Sequence, residues 1–229
     1  MDENIRDNLA ALKNKINSIE EKYGKQNNSV TLLAVSKSKT VEDITEAYEH
    51  GQRHFGENYL QEAQKKIQKL EEYNIVWHFI GPLQSNKTRL AAEKFDWVHS
   101  IDRVNIAERL SKQRPRGMPP LSVCIQLNIS KESSKSGIDP AEIDHFLSKL
   151  YLLPNINVRG FMGISSLTAG FSEQRKQFRV LYEYFSGAQN SGYDLDTLSM
   201  GMSGDFEAAI AEGATMVRIG TDIFGIREQ

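Results

Sequence analysis

The sequence is poor in cysteine: Cys124 is the single one in 229 residues. An internal disulfide is therefore impossible, and this scarcity is typical of proteins from a reducing compartment. The first residues, MDENIRDNLAALKNK, are polar and mixed in charge, without the apolar stretch of a signal peptide. We therefore expect a cytoplasmic protein. Cys124 lies in the middle of an apolar run and is predicted to be a core residue, not a nucleophile.

Long apolar runs and an excess of either charge are also missing. No run approaches the ~18–20 apolar residues that span a bilayer. Lys and Arg number 28 and Asp and Glu 30, which leaves a net charge of −2. This balance predicts no broad attraction to nucleic acid or to an anionic membrane. The five histidines show no metal-ligand spacing, so we predict no metal.

What the sequence does have is a regular alternation of short apolar runs and helical stripes. Each of eight predicted strands is followed by a helix or one helical turn: 31–35, 54–57, 76–80, 97–101, 121–127, 157–162, 197–199 and 216–219. Strict alternation requires parallel strands with right-handed crossovers, and eight such strands close a barrel. The predicted fold class is therefore α/β, a single (β/α)8 barrel of the TIM type. The alternative is an open doubly wound sheet, which more often has five or six strands.

The helices complete this prediction. Apolar residues spaced three and four apart predict an extra N-terminal helix over about 3–23, ahead of a barrel over about 30–227. One barrel needs roughly 200–250 residues, so we expect 1–229 to be one domain with no room for a second. Three later helices are predicted to begin at polar residues that cap their first turn, namely Asp102, Ser172 and Ser203.

In barrels of this type the functional residues follow the carboxyl ends of the strands. After the seventh strand, Gly201 and Gly204 flank Ser203, and Gly220-Thr221 follows the eighth. Free backbone N–H groups and hydroxyls at these two loops commonly bind phosphate. The alternative is that Ser203 only caps a helix and the glycines only form turns.

Lys37 follows the first strand, which is entirely apolar. A lysine that starts from the barrel interior loses hydration, so its pKa falls and its amine can attack an aldehyde. The alternative is a lysine that extends to solvent from the strand end. Lys39 and Lys87 are predicted to be solvated, whereas Lys135 could be either solvated or a second ligand site.

Arg218 lies between apolar neighbours within the eighth strand, so its side chain points into the barrel or into the helix layer. Inside, it needs an acceptor, which is either a buried carboxylate such as Glu57 or a ring nitrogen of a cofactor. Asp205 and Glu207 would oppose a phosphate and are predicted to face solvent. A lysine nucleophile, a phosphate site and an inward arginine together describe pyridoxal phosphate (PLP).

These residues lie in stretches through which the chain resembles the PLP homeostasis proteins, also called PLP-binding proteins. The matching stretches are LLAVSKSK (32–39), GQRHFGENYLQE (51–62), WHFIGPLQSNK (77–87), IQLNIS and SKSGI (125–138), GFMGI (160–164) and LSMGMSGDFEAAIAEGATMVRIGTDIFG (198–225). The resemblance implies a barrel similar to the N-terminal barrel of alanine racemase, known as the fold-type III PLP barrel.

The resemblance also implies the cofactor site. PLP is expected as an internal aldimine, a Schiff base, on Lys37. The phosphate is expected at Ser203, Gly220 and Thr221, the pyridine nitrogen at Arg218, and Asn58 near the ring. The implied function is vitamin B6 homeostasis, in which the protein holds PLP without robust turnover and supplies it to PLP-requiring apoenzymes. We expect a monomer, because the sequence shows no long apolar surface stripe apart from the first helix, which can pack on the barrel.

Two other functions stay open at this point. A PLP-dependent amino-acid racemase would use the same barrel, although alanine racemases take a second base from an additional C-terminal domain that we do not expect here. A lyase or aldolase would use the Schiff-base lysine on a sugar phosphate without PLP, and would purify without a pyridoxal chromophore.

Overall fold

The computed structural model describes residues 4–129, 136–166 and 170–225. Eight parallel strands form a closed barrel in which each strand pairs with its neighbours in sequence and β8 returns to β1. The strands are β1 Thr31–Val35, β2 His54–Glu57, β3 Val76–Phe79, β4 Trp97–Ile101, β5 Leu121–Leu127, β6 Ile156–Gly163, β7 Thr197–Ser199 and β8 Met216–Ile219. The predicted (β/α)8 barrel is confirmed, and the open doubly wound sheet is excluded.

Helices surround the strands. They are α1 Ile5–Lys22, α2 Val41–Glu49, α3 Leu60–Lys69, α4 Thr88–Lys94, α5 Val104–Gln113, α6 Ile143–Leu150, α7 Phe171–Asn190, α8 Phe206–Ala211 and α9 Thr221–Phe224, with 3-10 turns at Ser85–Lys87 and Pro140–Glu142. Because helices cover the outside and side chains fill the inside, most strand residues are buried, and β4 and β8 are buried throughout.

The extra N-terminal helix is present as α1. Its apolar stripe is buried, and the helix packs against α2, α8 and α9 on the outside of the barrel. Two polar contacts fix it there: Asn8 donates to the Ile223 carbonyl (3.1 Å), and the Lys22 ammonium contacts the Glu207 carboxylate (2.8 Å). α1 therefore fixes the two helices that follow β7 and β8, namely α8 and α9. That residues 1–229 form one domain stays a prediction.

The three predicted helices are present, but none has the predicted capping residue at its N-cap. The helix after β4 has Arg103 at its N-cap, and the Asp102 carboxylate accepts from the Arg103 guanidinium instead of a backbone N–H. α7 begins one residue before Ser172, after Gly170. Ser203 lies in a turn, and α8 begins only at Phe206. At residues 203–205 the chain forms a turn, which a capping rule based on residue type does not predict.

Candidate functional site

All six residues predicted to form the site line one cavity of about 330 Å³, which lies at the carboxyl ends of the barrel strands. They follow or belong to four strands that are adjacent in the order β7, β8, β1 and β2. The six are Lys37, Asn58, Ser203, Arg218, Gly220 and Thr221. Because β8 pairs with β1, residues near the two ends of the sequence meet in this cavity.

Arg218 points into the barrel interior and is 5% exposed. Its Nη1 donates to the Ser199 carbonyl (2.7 Å) and to the Ser199 hydroxyl (2.9 Å), and its Nη2 donates to the Gly163 carbonyl (3.0 Å). Burial lowers the pKa of Arg218 to about 10, so the guanidinium stays charged at neutral pH. The alternative of an Arg218–Glu57 ion pair is wrong, since neutral oxygens hold the guanidinium.

Glu57 instead supports the loop that bears Lys37. Its Oε1 accepts from the Ser36 hydroxyl (2.7 Å) and from the Lys66 ammonium (2.8 Å). Lys66 also donates to the Ser36 carbonyl (2.7 Å) and to Glu62 (2.5 Å). We call Glu57, Glu62 and Lys66 the clamp.

The clamp acts on both neighbours of Lys37, because Glu62 also accepts from the Ser38 N–H (2.6 Å). Ser38 has a φ of 62°, a left-handed conformation that is uncommon outside glycine. The clamp therefore holds this turn from behind, while the half-buried Lys37 side chain extends into the cavity. Burial raises the pKa of Glu57, opposed by the adjacent Lys66.

Asn58 is placed by a close approach of two loops. A Cβ added at Gly81 would collide with the Asn58 carbonyl, so only glycine fits after β3. The Asn58 side-chain Oδ1 is buried and has no hydrogen-bond partner among the described residues. A buried acceptor without a partner costs free energy, and a ligand that fills the cavity can satisfy it.

The loops after β7 and β8 present unused donors. In the turn at 202–205, the Asp205 side chain accepts from the Met202 N–H (2.6 Å), and the Asp205 N–H donates to the Met202 carbonyl. The backbone N–H groups of Ser203 and Gly204 have no acceptor in the described chain. The N–H groups of Thr221 and Asp222, the first two of α9, likewise have no acceptor among the described residues. These donors and the nearby Ser203 and Thr221 hydroxyls suit an anion.

The surrounding charges differ from the prediction in two places. Asp205 does not simply face solvent: it is half-buried and accepts from the Ser165 hydroxyl (2.5 Å). Lys39 is not simply solvated: its ammonium donates to the Phe224 carbonyl (2.6 Å) at the edge of the cavity. Glu207 contacts α1, outside the barrel.

The apolar lining was not predicted. It comes from residues at the ends of β1, β3 and β6 and from the loop after β7: Val35, Ile80, Met162, Ile164 and Met202. Their position directly at or after a strand end was a signal available in the sequence. Lys135, considered above as a second ligand site, lies outside the described residues. Within the described ranges, no three His, Cys, Asp or Glu side chains are grouped to hold a metal ion.

Comparison with known proteins identifies the family of this chain. The model of the alanine racemase N-terminal domain matches residues 8–228. A pyridoxal phosphate homeostasis protein of Escherichia coli (strain K12) is 50% identical over 227 residues, 98% of this chain and 97% of that protein. The chain belongs to the pyridoxal phosphate homeostasis protein family. Another member, from Vibrio cholerae, is 51% identical over 228 residues, 98% of this chain and 97% of that protein.

Solved structures agree with the family. PipY of Synechococcus elongatus PCC7942, determined with PLP bound, is 38% identical with a TM-score of 0.85, over 96% of this chain and 100% of that one. Alanine racemase from Corynebacterium glutamicum is 18% identical with a TM-score of 0.69, over 96% of this chain and 62% of that one, a likeness of fold alone. Among the described residues, no helix combines the length and apolar character that crossing a membrane requires.

Proposed function

We propose that this protein binds pyridoxal 5′-phosphate and serves intracellular PLP homeostasis, the role in the names of its relatives. One observation carries the proposal: an amine, an anion-binding pair of loops and a buried arginine line the same cavity. The cavity also fits PLP in a second respect, because the unpartnered Asn58 Oδ1 and the unused N–H groups of Ser203 and Gly204 need polar ligand atoms.

Different residues would bind the different groups of the cofactor. The Lys37 amine would hold the aldehyde covalently, as a Schiff base. Ser203, Gly220 and Thr221 would hold the phosphate, and Asn58 would lie near the ring. PLP, when bound, supplies an electron-withdrawing ring that is linked to an amine. Arg218 can only donate, so a ring nitrogen held by Arg218 would stay without a proton, which would weaken this electron withdrawal.

We propose that the protein holds PLP without robust catalytic turnover. Carbanion chemistry on a weakened electron sink depends on well-placed bases. Of the described residues that line the cavity, none is a histidine, a tyrosine or a carboxylate. Lys37 and Lys39 are the titratable amines there, and Lys37 is assigned to the cofactor. This lining favours a carrier of PLP.

The second candidate is an amino-acid racemase, favoured by the family model and by the fold it shares with alanine racemases. The two functions differ in turnover. We expect no racemisation of alanine or serine by the purified protein loaded with PLP. Turnover that is lost in Lys37→Ala would instead support the racemase.

The binding experiment uses the absorption spectrum. PLP added to the purified protein should give a band at roughly 420 nm, as protonated PLP imines do. Borohydride should fix the cofactor to Lys37, detected as a mass increase on the peptide that contains this residue. Lys37→Ala should lose the band, while Lys87→Ala, outside the cavity, should keep it. A colourless wild-type protein would refute the proposal and favour cofactor-free Schiff-base chemistry.

Arg218→Glu tests the assignment of the ring nitrogen. A carboxylate can accept a hydrogen bond from a protonated nitrogen, so the band should remain but shift in wavelength. An unchanged spectrum would mean that Arg218 is structural. We further propose that the protein is a cytoplasmic monomer and that it passes PLP to apoenzymes. Sedimentation of the PLP-loaded protein measures its mass in solution and so tests whether it is a monomer.

A further inference from the structure

A line of hydrogen bonds crosses the barrel interior from the cavity to the start of β2. Arg218 Nη1 lies 2.9 Å from Ser199 Oγ, and Ser199 Oγ lies 3.0 Å from His99 Nδ1. His99 Nε2 lies 2.9 Å from His78 Nδ1, and His78 Nε2 lies 3.0 Å from His54 Nδ1. Five strands contribute one residue each. We call His54, His78 and His99 the histidine chain.

The histidine chain is electrically neutral at physiological pH. Burial lowers the pKa of His99 to about 3, lowers the pKa of His78 well below its usual range and also lowers the pKa of His54. Trp97 stacks on His78 with a centroid distance of 5.3 Å. A neutral imidazole has one N–H donor and one acceptor nitrogen. The chain can therefore run in either of two directions, with every ring in the same tautomer.

The end at Arg218 selects the direction. An arginine only donates, so Ser199 Oγ accepts from the guanidinium. The Ser199 hydroxyl proton needs an acceptor, and His99 Nδ1 is the one that the described residues provide. His99 must then carry its proton on Nε2 and donate it to His78 Nδ1. By the same rule, His78 carries its proton on Nε2 and donates it to His54.

We propose that His99, supported by His78 and His54, is a positioning residue for Arg218. By accepting the Ser199 proton, His99 turns the lone pairs of that hydroxyl toward the guanidinium. Arg218 is then held on Nη1 by two oxygens of Ser199 and keeps its other donors for Gly163 and the cavity. If His99 donated instead, the Ser199 proton would be left without an acceptor among the described residues.

The inference deepens the proposed function, because Arg218 lines the cavity assigned to PLP, but its first test needs no cofactor. Nitrogen-15 NMR of the wild-type protein, labelled at histidine and without added PLP, reads the tautomer of each ring. At pH 7 we expect His78 and His99 to carry the proton on Nε2 and to have an unprotonated Nδ1. A proton on His99 Nδ1 would overturn the proposal.

The second test compares two substitutions of His99. In His99→Asn the amide oxygen can take the place of Nδ1 as acceptor, whereas His99→Leu removes it. We expect His99→Leu to lose the slowly exchanging guanidinium N–H signals of Arg218 and to bind PLP about tenfold more weakly, the effect of one weakened hydrogen bond to a charged group. His99→Asn should restore both properties to nearly the wild-type values.

The control is His145→Leu, on the exposed face of α6, which should match wild type in both measurements. Wild-type Arg218 signals and PLP affinity in His99→Leu would overturn the positioning role. Failure of the wild-type protein to bind PLP would refute the proposed function alone, since the tautomers and the Arg218 signals are measured without PLP.

Discussion

Acid should destabilise this protein through its buried neutral histidines. The pKa of His99 falls from 6.5 to about 3 on folding, because the imidazole is fully buried and its charge has no carboxylate partner among the described residues. The unfolded chain therefore binds this proton at a higher pH than the folded chain does. The stability is undiminished above pH 6.5 and decreases as the pH falls toward the folded value.

The magnitude follows from the pKa difference. Each pH unit below the unfolded pKa lowers the free energy of unfolding by about 1.4 kcal/mol for each proton that the folded state excludes. At pH 5, His99 alone therefore lowers the free energy of unfolding by about 2 kcal/mol. His78 is equally buried and its pKa is also lowered well below the usual range, so its contribution has the same sign. The ~2 kcal/mol from His99 is already a substantial part of the ~5–15 kcal/mol of a typical domain.

Urea denaturation at several pH values between 7.5 and 5 measures this effect. The free energy of unfolding of wild type should fall steeply below pH 6.5. His99→Asn should fall less steeply, with about one proton fewer taken up on unfolding at pH 5. The control is His145→Asn, whose side chain is in solvent in both states. Equal pH slopes for wild type and His99→Asn would refute the reasoning, because His99 would then be charged in the folded protein.

The scaffold around the cavity gives three further tests. Lys66→Met leaves the Glu57 carboxylate buried without its cation, so the free energy of unfolding should fall by about 3–5 kcal/mol at pH 7, and Lys66→Met/Glu57→Gln should recover most of it in urea denaturation. Gly81→Ala should displace Asn58 and weaken PLP binding, measured by titration of the absorption band. Cys124, whose pKa burial raises to about 12, should react with a thiol reagent only at the rate of unfolding, and fast modification of the native protein would contradict this.

The strands could be predicted to within about two residues because a strand covered on both faces leaves a continuous apolar run. The helix starts were less predictable. Ser203 has the side chain of an N-cap, yet the turn at 202–205 forms because Asp205 bonds back to the Met202 N–H. Which of the two conformations forms depends on the loop's tertiary surroundings, including Ser165 in the loop after β6, and the local sequence does not encode it.

The cavity residues could be predicted because barrel geometry brings every strand end to one face. The partners of Arg218 could not, since Ser199 and Gly163 come from two other strands and depend on register. The histidine chain was not predicted, because its three residues lie far apart in the sequence and match no metal-ligand motif. The available signal was different: β2, β3 and β4 are consecutive strands, and each contains one histidine.

The pairing of β1 with β8 determines the stage of folding at which the cavity can form. Lys37 follows β1, and Arg218 lies on β8, so the amine and the guanidinium meet only when the first and last strands pair. This is the pairing of greatest sequence separation in the barrel, and contacts of that kind form at the largest cost in chain entropy. A ligand that contacts both Lys37 and Arg218 would link β1 to β8. Its binding would show that the barrel has closed, and it would slow the separation of the two strands during unfolding.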